Sequence, residues 1–72
     1  MDIVEIDNVY LVYKMTSLGI KQKDLSDMTG ISLRTINSYI NNRTIKGISY
    51  RNVVKICNTL GVDNYNLIIR II

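Results

Sequence analysis

The segment QKDLSDMTGISLRTINSYI, residues 22–40, has the pattern of two short helices joined by a tight turn. Apolar residues recur in both halves at three- and four-residue spacing, which is the period of one helical face. Leu25 and Ile36 are predicted to fill the angle between the two helices, and the small Ser26 lets the helices approach closely. Gly30 supplies the positive φ that turns the chain within a few residues.

Capping residues and glycines around this segment predict a compact all-α domain of five helices. Helix one is expected from its N-cap Asp7 to Leu18, helix two over about Gln22–Thr29, and helix three from its N-cap Ser32 to Asn41 and Asn42, because Asn tolerates the left-handed conformation. A loop is expected over 43–48, followed by helix four from near Ser49 to Gly61. The fifth helix is capped by Asp63 and carries Tyr65, Leu67, Ile68, Ile71 and Ile72. No segment shows the strict alternation of a half-buried strand.

Length and composition indicate one globular domain over residues 1–72. The chain has 72 residues, and 47% of them are hydrophobic, too many for a disordered chain. The single cysteine, Cys57, fits a reducing compartment and is predicted to be a small core residue. No apolar run approaches the length of a membrane span, and the acidic start is unlike a signal peptide. These features predict a cytoplasmic protein that does not enter a membrane.

The net charge of +3 is distributed unevenly along the chain. Residues 14–55 hold eight Lys or Arg and two Asp, whereas residues 1–13 hold three acidic residues and no basic one. A basic stretch of this kind is typical of a surface that binds a polyanion, but an ordinary solvated surface has the same composition. Charge alone leaves both interpretations open.

Four short segments together resemble the phage repressor and Cro family of helix-turn-helix proteins, the XRE type. They are Leu18-Gly-Ile-Lys-Gln22, Gly30-Ile-Ser32, Asn41-Asn-Arg43 and Leu60-Gly-Val-Asp63. The resemblance covers nearly the whole chain and implies a lambda-repressor-like fold with its helix-turn-helix at about 22–40. It also implies that helix three enters the major groove of double-stranded operator DNA, which admits one α-helix.

The resemblance assigns roles in DNA binding by position. Gln22, at the start of helix two, would bind a phosphate with help from the helix N-terminus. Arg34 would be the best base reader, because its guanidinium matches guanine O6 and N7. Lys23, with Lys21 and Lys46, would add salt-screened attraction. The remaining expected contacts are base edges for Leu33, Thr35 and Ser38, and phosphates for Asn41 and Arg43.

The sequence departs from the family pattern in two respects, one at a pair of positions and one at a single position. Many members pair an Arg late in helix one with a Glu late in helix three, and the matching positions here are Met15 and Ile40. Replacement of a buried ion pair by an apolar pair is often neutral or stabilising, so the fold is expected to persist. Leu33 occupies a position where polar readers are usual, and it would contact either a thymine methyl or another protein.

Tyrosines and the apolar tail predict a second surface that binds protein. Four of the five tyrosines are hard to bury together in so small a domain, and exposed Tyr is a common interface anchor, although half-buried Tyr is equally ordinary. The tail is more apolar than one helical face requires, which indicates a homodimer or a different protein partner. The predicted surface comprises Tyr10, Tyr13, Tyr50, Tyr65, Leu67, Ile68, Ile69 and Ile72.

The favoured function is a phage-type transcriptional regulator of the lysis–lysogeny switch that binds operator DNA, the phage repressor, or both. The alternative is a pure antirepressor, because the size, fold and tyrosine content look similar to the modulator-of-repression proteins of temperate phages. An enzyme is disfavoured, since the sequence has no His, no Cys/His cluster, no phosphate-binding loop and no nucleophile–base pair. No cofactor, metal or small-molecule substrate is expected.

Overall fold

The computed structural model describes residues 3–41 and 48–71, without the side chain of Tyr65. This part of the chain forms four longer helices, one single-turn helix and a small sheet. The order of elements is β1 (Ile3–Ile6), α1 (Asn8–Leu18), α2 (Gln22–Thr29), α3 (Leu33–Ile40), β2 (Ile48–Ser49), α4 (Tyr50–Leu60), the single-turn α5 (Asn64–Leu67) and β3 (Ile68–Ile71). The predicted residues 42–47, with Arg43 and Lys46, and the terminal Ile72 lie outside the described residues.

The helix boundaries follow from capping groups that the sequence carries. Asp7 Oδ1 accepts from the Tyr10 backbone N–H (3.0 Å), and Ser32 Oγ accepts from that of Thr35 (3.2 Å). These bonds satisfy amide groups that have no partner within their own helix. The predicted N-caps of α1 and α3 are therefore confirmed, as are the predicted bounds of α2 and the stop of α4 at Gly61.

The three strands form an antiparallel sheet in the order β2-β1-β3, which corrects the prediction of an all-α fold. Val4 of β1 lies opposite Ile48 of β2 and, on its other side, opposite Ile71 of β3. Ile48 was expected in a loop and instead begins β2. Side chains that are β-branched favour the pleated strand, and both β1 and β3 are rich in isoleucine.

The predicted fifth helix is wrong beyond its first turn. It ends at Leu67, and Ile68–Ile71 continue as β3 rather than as a helical face. The isoleucines whose spacing predicts a helix do not form one helical face. Ile68 packs against the core, whereas Ile69 and Ile71 are exposed. Leu67 is buried in the core, which removes it from the predicted protein-binding surface.

One apolar core joins the helices to the sheet. Its buried members are Val4, Ile6, Leu11, Met15, Leu25, Ile31, Ile36, Tyr39, Ile48, Val53, Ile56, Cys57, Leu60 and Leu67. The predicted core positions of Cys57 and Tyr39 are confirmed. The Tyr39 hydroxyl accepts a hydrogen bond from Asn52 Nδ2 (3.0 Å), so this polar atom is satisfied inside the fold.

Candidate nucleic-acid interface

The turn between α2 and α3 is fixed by hydrogen bonds from two hydroxyl groups. Ser26 Oγ donates to the Ile31 carbonyl (2.6 Å), so Ser26 does more than give space. Thr29 Oγ1 donates to the Leu25 carbonyl (2.7 Å) and accepts from the Ile31 N–H (3.2 Å). Gly30 has φ +76°, a conformation that strains residues with a Cβ atom. These local contacts determine the angle at which α3 leaves α2.

Buried side chains hold α3 by one face and leave the other face toward solvent. Ile36 and Tyr39 are buried, whereas Leu33 is 47% exposed and Arg34 is also exposed. The far end of α3 is tied to α1, because Asn8 Nδ2 donates to the Ile40 carbonyl (3.0 Å). The helix is therefore anchored at both ends, which pre-organises its outer face for a partner.

Gln22 is positioned by Asn37, a residue that the sequence patterns did not single out. Asn37 Nδ2 donates to Gln22 Oε1 (3.1 Å), which links the start of α2 to the middle of α3. Because the carbonyl end of Gln22 accepts this bond, its amide nitrogen points away from Asn37 and keeps its donors for a phosphate oxygen. The sequence does contain one indication of this pair, because both residues have amide side chains and lie on two helices that are predicted to be adjacent.

The start of α2 combines positive charge with backbone donors. The Lys21 side chain, at the N-cap position, makes no capping hydrogen bond, and Lys21 and Lys23 are both exposed. Asp24 Oδ2 accepts from the backbone N–H of Lys21 (3.0 Å), so this carboxylate is bound to its own helix end. A helix N-terminus flanked by lysines is a favourable place for a phosphate group.

The short polar side chains of α3 are oriented by bonds inside the helix. Thr35 Oγ1 accepts from Ser32 Oγ (2.9 Å), and Ser38 Oγ donates to the Arg34 carbonyl (3.1 Å). Arg34 forms no ion pair with any described residue, so its guanidinium is available for a ligand. The structure thus brings Gln22, Lys23, Leu33 and Arg34 together around one groove, whose lining also includes Asn37.

Asn41 ends α3 without the left-handed conformation expected for it. Its φ is −86°, and its Nδ2 donates to the Asn37 carbonyl (2.9 Å). The side chain therefore caps the helix through a hydrogen bond, and Asn41 itself remains exposed at the end of the candidate interface.

Three tyrosines of the predicted protein surface have described side chains, and they lie in two separate places. Tyr10 and Tyr13 lie on α1 with ring centroids 6.4 Å apart, Tyr10 packed against the core and Tyr13 65% exposed. Tyr50, at the start of α4, lines a second groove with Ile68 and Ile69. The structure therefore separates the tyrosines of α1 from the tyrosine beside the tail.

A family model described as Helix-turn-helix matches residues 11–63, well over half of the chain. The chain belongs to the phage repressor and Cro-like, XRE-type helix-turn-helix family. The matched residues run from α1 to the end of α4 and contain the whole α2–α3 unit, whereas β1 and β3 lie outside them. The protein is accordingly a DNA-binding transcription regulator, with double-stranded DNA as its ligand.

Comparison with curated proteins and with solved structures finds no match. Among the described residues, no helix is both long and apolar enough to cross a membrane. Within the same ranges, no cluster of His, Cys, Asp or Glu is arranged to hold a metal ion.

Proposed function

We propose that this protein is a small phage-type regulator of the lysis–lysogeny switch that reads operator DNA with α3 in the cytoplasm of a bacterial host. The observation that carries the proposal is the geometry around Arg34. This exposed guanidinium, which has no ion pair among the described residues, lies on a helix anchored at both ends, beside the lysine-flanked start of α2. Family membership supports the class of activity, and the resemblance to repressor and Cro proteins supports the role in a switch.

Each predicted contact residue has a physical task in this proposal. Arg34 reads guanine, and Leu33 contacts a thymine methyl. Thr35 and Ser38 offer hydroxyl groups to base edges, while Gln22 and Asn41 bind phosphates. Arg43 also binds a phosphate, and Lys23 adds attraction that weakens as salt rises, since each phosphate neutralised releases counterions.

A homodimer on a palindromic site is the second part of the proposal, and the edge of β3 supports it. In the order β2-β1-β3, the outer side of β3 has no partner strand among the described residues. Ile69 and Ile71 are exposed there, and an uncovered strand edge is a ready template for pairing. Antiparallel pairing of β3 with its copy would be two-fold symmetric, as a palindromic operator requires.

Sedimentation of wild type and two lysine variants tests the dimer. Ile71→Lys places a charge on the β3 edge and is expected to give monomers at concentrations where the wild type dimerises. Val9→Lys, on the exposed face of α1, is the matched control and should leave the dimer unchanged. A wild type that sediments as a monomer at all concentrations would contradict this part.

The second candidate function is a pure antirepressor that binds the cognate phage repressor and has little affinity for DNA. The exposed apolar residues of α1, Val9 and Tyr13, favour it, because DNA has no apolar surface of this size to cover them. This function requires that Tyr13→Ala weaken binding to the cognate phage repressor, whereas Arg34→Ala would have little effect.

The experiment that separates the two functions is an amide chemical-shift titration with a duplex taken from beside the gene. The proposed function predicts shifts at Gln22, Arg34, Thr35 and Ser38 that fade as salt is raised. A scrambled duplex of equal length is the control for non-specific binding. Absence of any shift at low salt would contradict direct DNA binding and leave the antirepressor function.

A further inference from the structure

An open groove of about 860 Å³ lies between α1, the start of α2 and α3. The apolar part of its lining, here called the floor, is formed by Val12, Met15, Ile20, Leu33 and Ile40. Met15 and Ile40 are the two positions where the sequence departs from the ion pair of its family. The floor is therefore apolar throughout at the place where many members of the family have an Arg–Glu ion pair.

Part of this floor is exposed in the isolated chain. Val12 is 40% exposed and Leu33 is 47% exposed, although both are aliphatic. DNA does not fill such a groove well, because the base edges offer mainly polar groups and the only large apolar group is the thymine methyl. Contact of Leu33 with one methyl would leave Val12 and the centre of the floor uncovered. The apolar content of the groove thus exceeds what DNA binding uses.

Every charged residue that lines the groove, among those the structure describes, is positive. They are Lys21, Lys23 and Arg34. In the described part of the chain no carboxylate belongs to the lining, and Asp24, on the first turn of α2, is held by the backbone N–H of Lys21. An occupant with an apolar face and acidic flanks would therefore be complementary to the floor and to the rim.

The elements around the groove determine the form of that occupant. Apart from the first amides of each helix, the backbone groups of α1, α2 and α3 are bonded within the helices, so they offer no strand edge to an extended peptide. Recognition must come from side chains, which is the way an amphipathic helix binds a hydrophobic groove, with anchors at i, i+3, i+4 and i+7.

We propose that this groove binds an amphipathic, acidic helix of a partner protein, and that the helix excludes DNA from the same surface. Its apolar face covers Val12 and Leu33, and its carboxylates pair with Lys21, Lys23 and Arg34. The exclusion of DNA rests on the proposed function, because Gln22, Leu33 and Arg34 are also the proposed DNA contacts. The docking of the helix rests only on the groove itself.

The test uses a labelled synthetic peptide of three to four helical turns, with Leu at i, i+3, i+4 and i+7 and Glu at the flanking positions. Binding to the full chain is followed by fluorescence anisotropy and by amide shifts at Val12, Ile20 and Asn37. Two control peptides keep the length: one scrambles the same residues so that Leu surrounds the helix, and the other replaces Glu by Lys. Both controls are expected to bind at least about tenfold more weakly, since each loses either the apolar face or the charge match.

A pair of variants on α1 locates the site. Val12→Asn makes the floor polar and is expected to weaken peptide binding about fivefold, because the apolar contact of one half-buried side chain is lost. Val12 is outside the proposed DNA contacts, so duplex binding should stay within about twofold. Val9→Asn, on an exposed position of α1 that does not line the groove, is the matched control and should change neither affinity. Thermal melting checks that both variants fold.

Competition distinguishes failure of this inference from failure of the proposed function. The expected result is that the acidic peptide displaces the duplex and that Val12→Asn reduces this displacement. Duplex binding without peptide binding, equal binding of the scrambled peptide, or shifts at β3 in place of Val12 would overturn the groove proposal alone. Peptide binding in the groove without any duplex binding would uphold the docking site and overturn the proposed DNA contacts.

Discussion

The α2–α3 unit and the β1–β3 pair are held together over very different distances along the chain. In the α2–α3 unit, Ser26 and Thr29 fix the turn by hydrogen bonds to residues five positions away or fewer. In the sheet, Glu5 Oε1 accepts from Arg70 Nε at 2.7 Å across 65 positions. Long-range contacts must offset the entropy of closing the intervening chain, whereas local contacts largely avoid this cost.

This difference assigns separate tasks to the two regions. The α2–α3 unit sets the geometry of the candidate DNA interface from a few neighbouring residues. The sheet brings both ends of the described chain to one core, through the buried Val4 and Ile6 of β1 and through Leu67, which ends α5 directly before β3. The geometry of the DNA interface and the closure of the whole fold therefore depend on different residues, and substitutions should separate them.

The largest expected effect concerns the thiol of Cys57, which tests whether both regions share one cooperative core. Cys57 lies on α4, and α4 packs against α2 and against β2. Burial, with the charge of Asp63 adding to it, raises the pKa of Cys57 from 9.0 to about 11. At pH 8 the reactive thiolate is therefore about 100-fold scarcer than in the unfolded chain. The thiol should therefore react with a disulfide reagent at least about 100-fold more slowly in the native protein than in urea. A fast phase in the native protein would mean that one of the two regions unfolds without the other.

The same pKa predicts how stability depends on pH. Because the folded-state pKa lies above the unfolded value, the contribution of Cys57 is complete below pH 9 and is lost as pH rises toward 11. Unfolding measured in urea should show a steeper loss of stability across this window for the wild type than for Cys57→Ala. Identical slopes for the two proteins would contradict the burial argument.

Truncation of the core under each region should have the next largest effect. Ile36→Ala under α3 and Ile6→Ala in β1 each remove a buried aliphatic side chain and are expected to cost about 2–5 kcal/mol of unfolding free energy. Ile69→Ala, at an exposed position of β3, is the control and should change stability by less than about 0.5 kcal/mol. Urea denaturation measures all three. A loss under about 1 kcal/mol for Ile6→Ala alone would show that the sheet is not part of the cooperative fold.

Gly30→Ala should have an intermediate effect through backbone strain. The added Cβ has no atom within 4 Å, so no clash arises, but φ +76° costs a residue with a side chain about 1–2 kcal/mol. Gly61→Ala, at φ +70° and equally open, is the matched variant and should lose a similar amount. The two melting curves compare a turn inside the α2–α3 unit with one outside it. An unchanged melting temperature for Gly30→Ala would contradict the assigned turn.

The smallest effect is expected at the ion pair between Glu5 and Arg70. The Arg70 side chain is 69% exposed, so water and salt screen the interaction. Glu5→Gln should cost about 0.2–1 kcal/mol at low salt and less at high salt. Urea titrations at two ionic strengths measure the difference. A loss that does not diminish in salt would mean that Glu5 stabilises the sheet by packing.

Local chemistry explains why the α2–α3 unit was predictable from the sequence. Ser32 caps α3 by a bond to a residue three positions away, and Gly30 ends α2 through its own backbone conformation. Short sequence patterns are therefore enough to predict the bounds of α2 and α3. The sheet was missed because the strand character of Ile68–Ile71 becomes evident only when β1 lies beside it. In isolation the same isoleucines fit one face of a helix, and tertiary contacts override such local patterns.

The sequence predicted which residues belong to the candidate site, but it did not predict the groove that they form together. Gln22 and Arg34 were indicated by the family pattern, but their distance from Val12 and Ile20 depends on how α1 crosses α3. The bond between Asn37 and Gln22 joins residues 15 positions apart and leaves no periodic signal. The apolar groove follows from the same crossing, so sequence reasoning identified Leu33, Met15 and Ile40 as unusual without bringing them together.

Duplex affinity for Arg34→Ala and Arg51→Ala, measured by anisotropy at several salt concentrations, tests most directly whether α3 reads the operator. Both variants lose one positive charge, but only Arg34 lies on α3, whereas Arg51 is exposed on α4. Arg34→Ala is expected to lose about 1–3 kcal/mol of binding to the specific duplex and little to a scrambled one, whereas Arg51→Ala should stay near the wild type. Equal affinities for the two variants, or equal losses on both duplexes, would contradict the claim that α3 reads the operator.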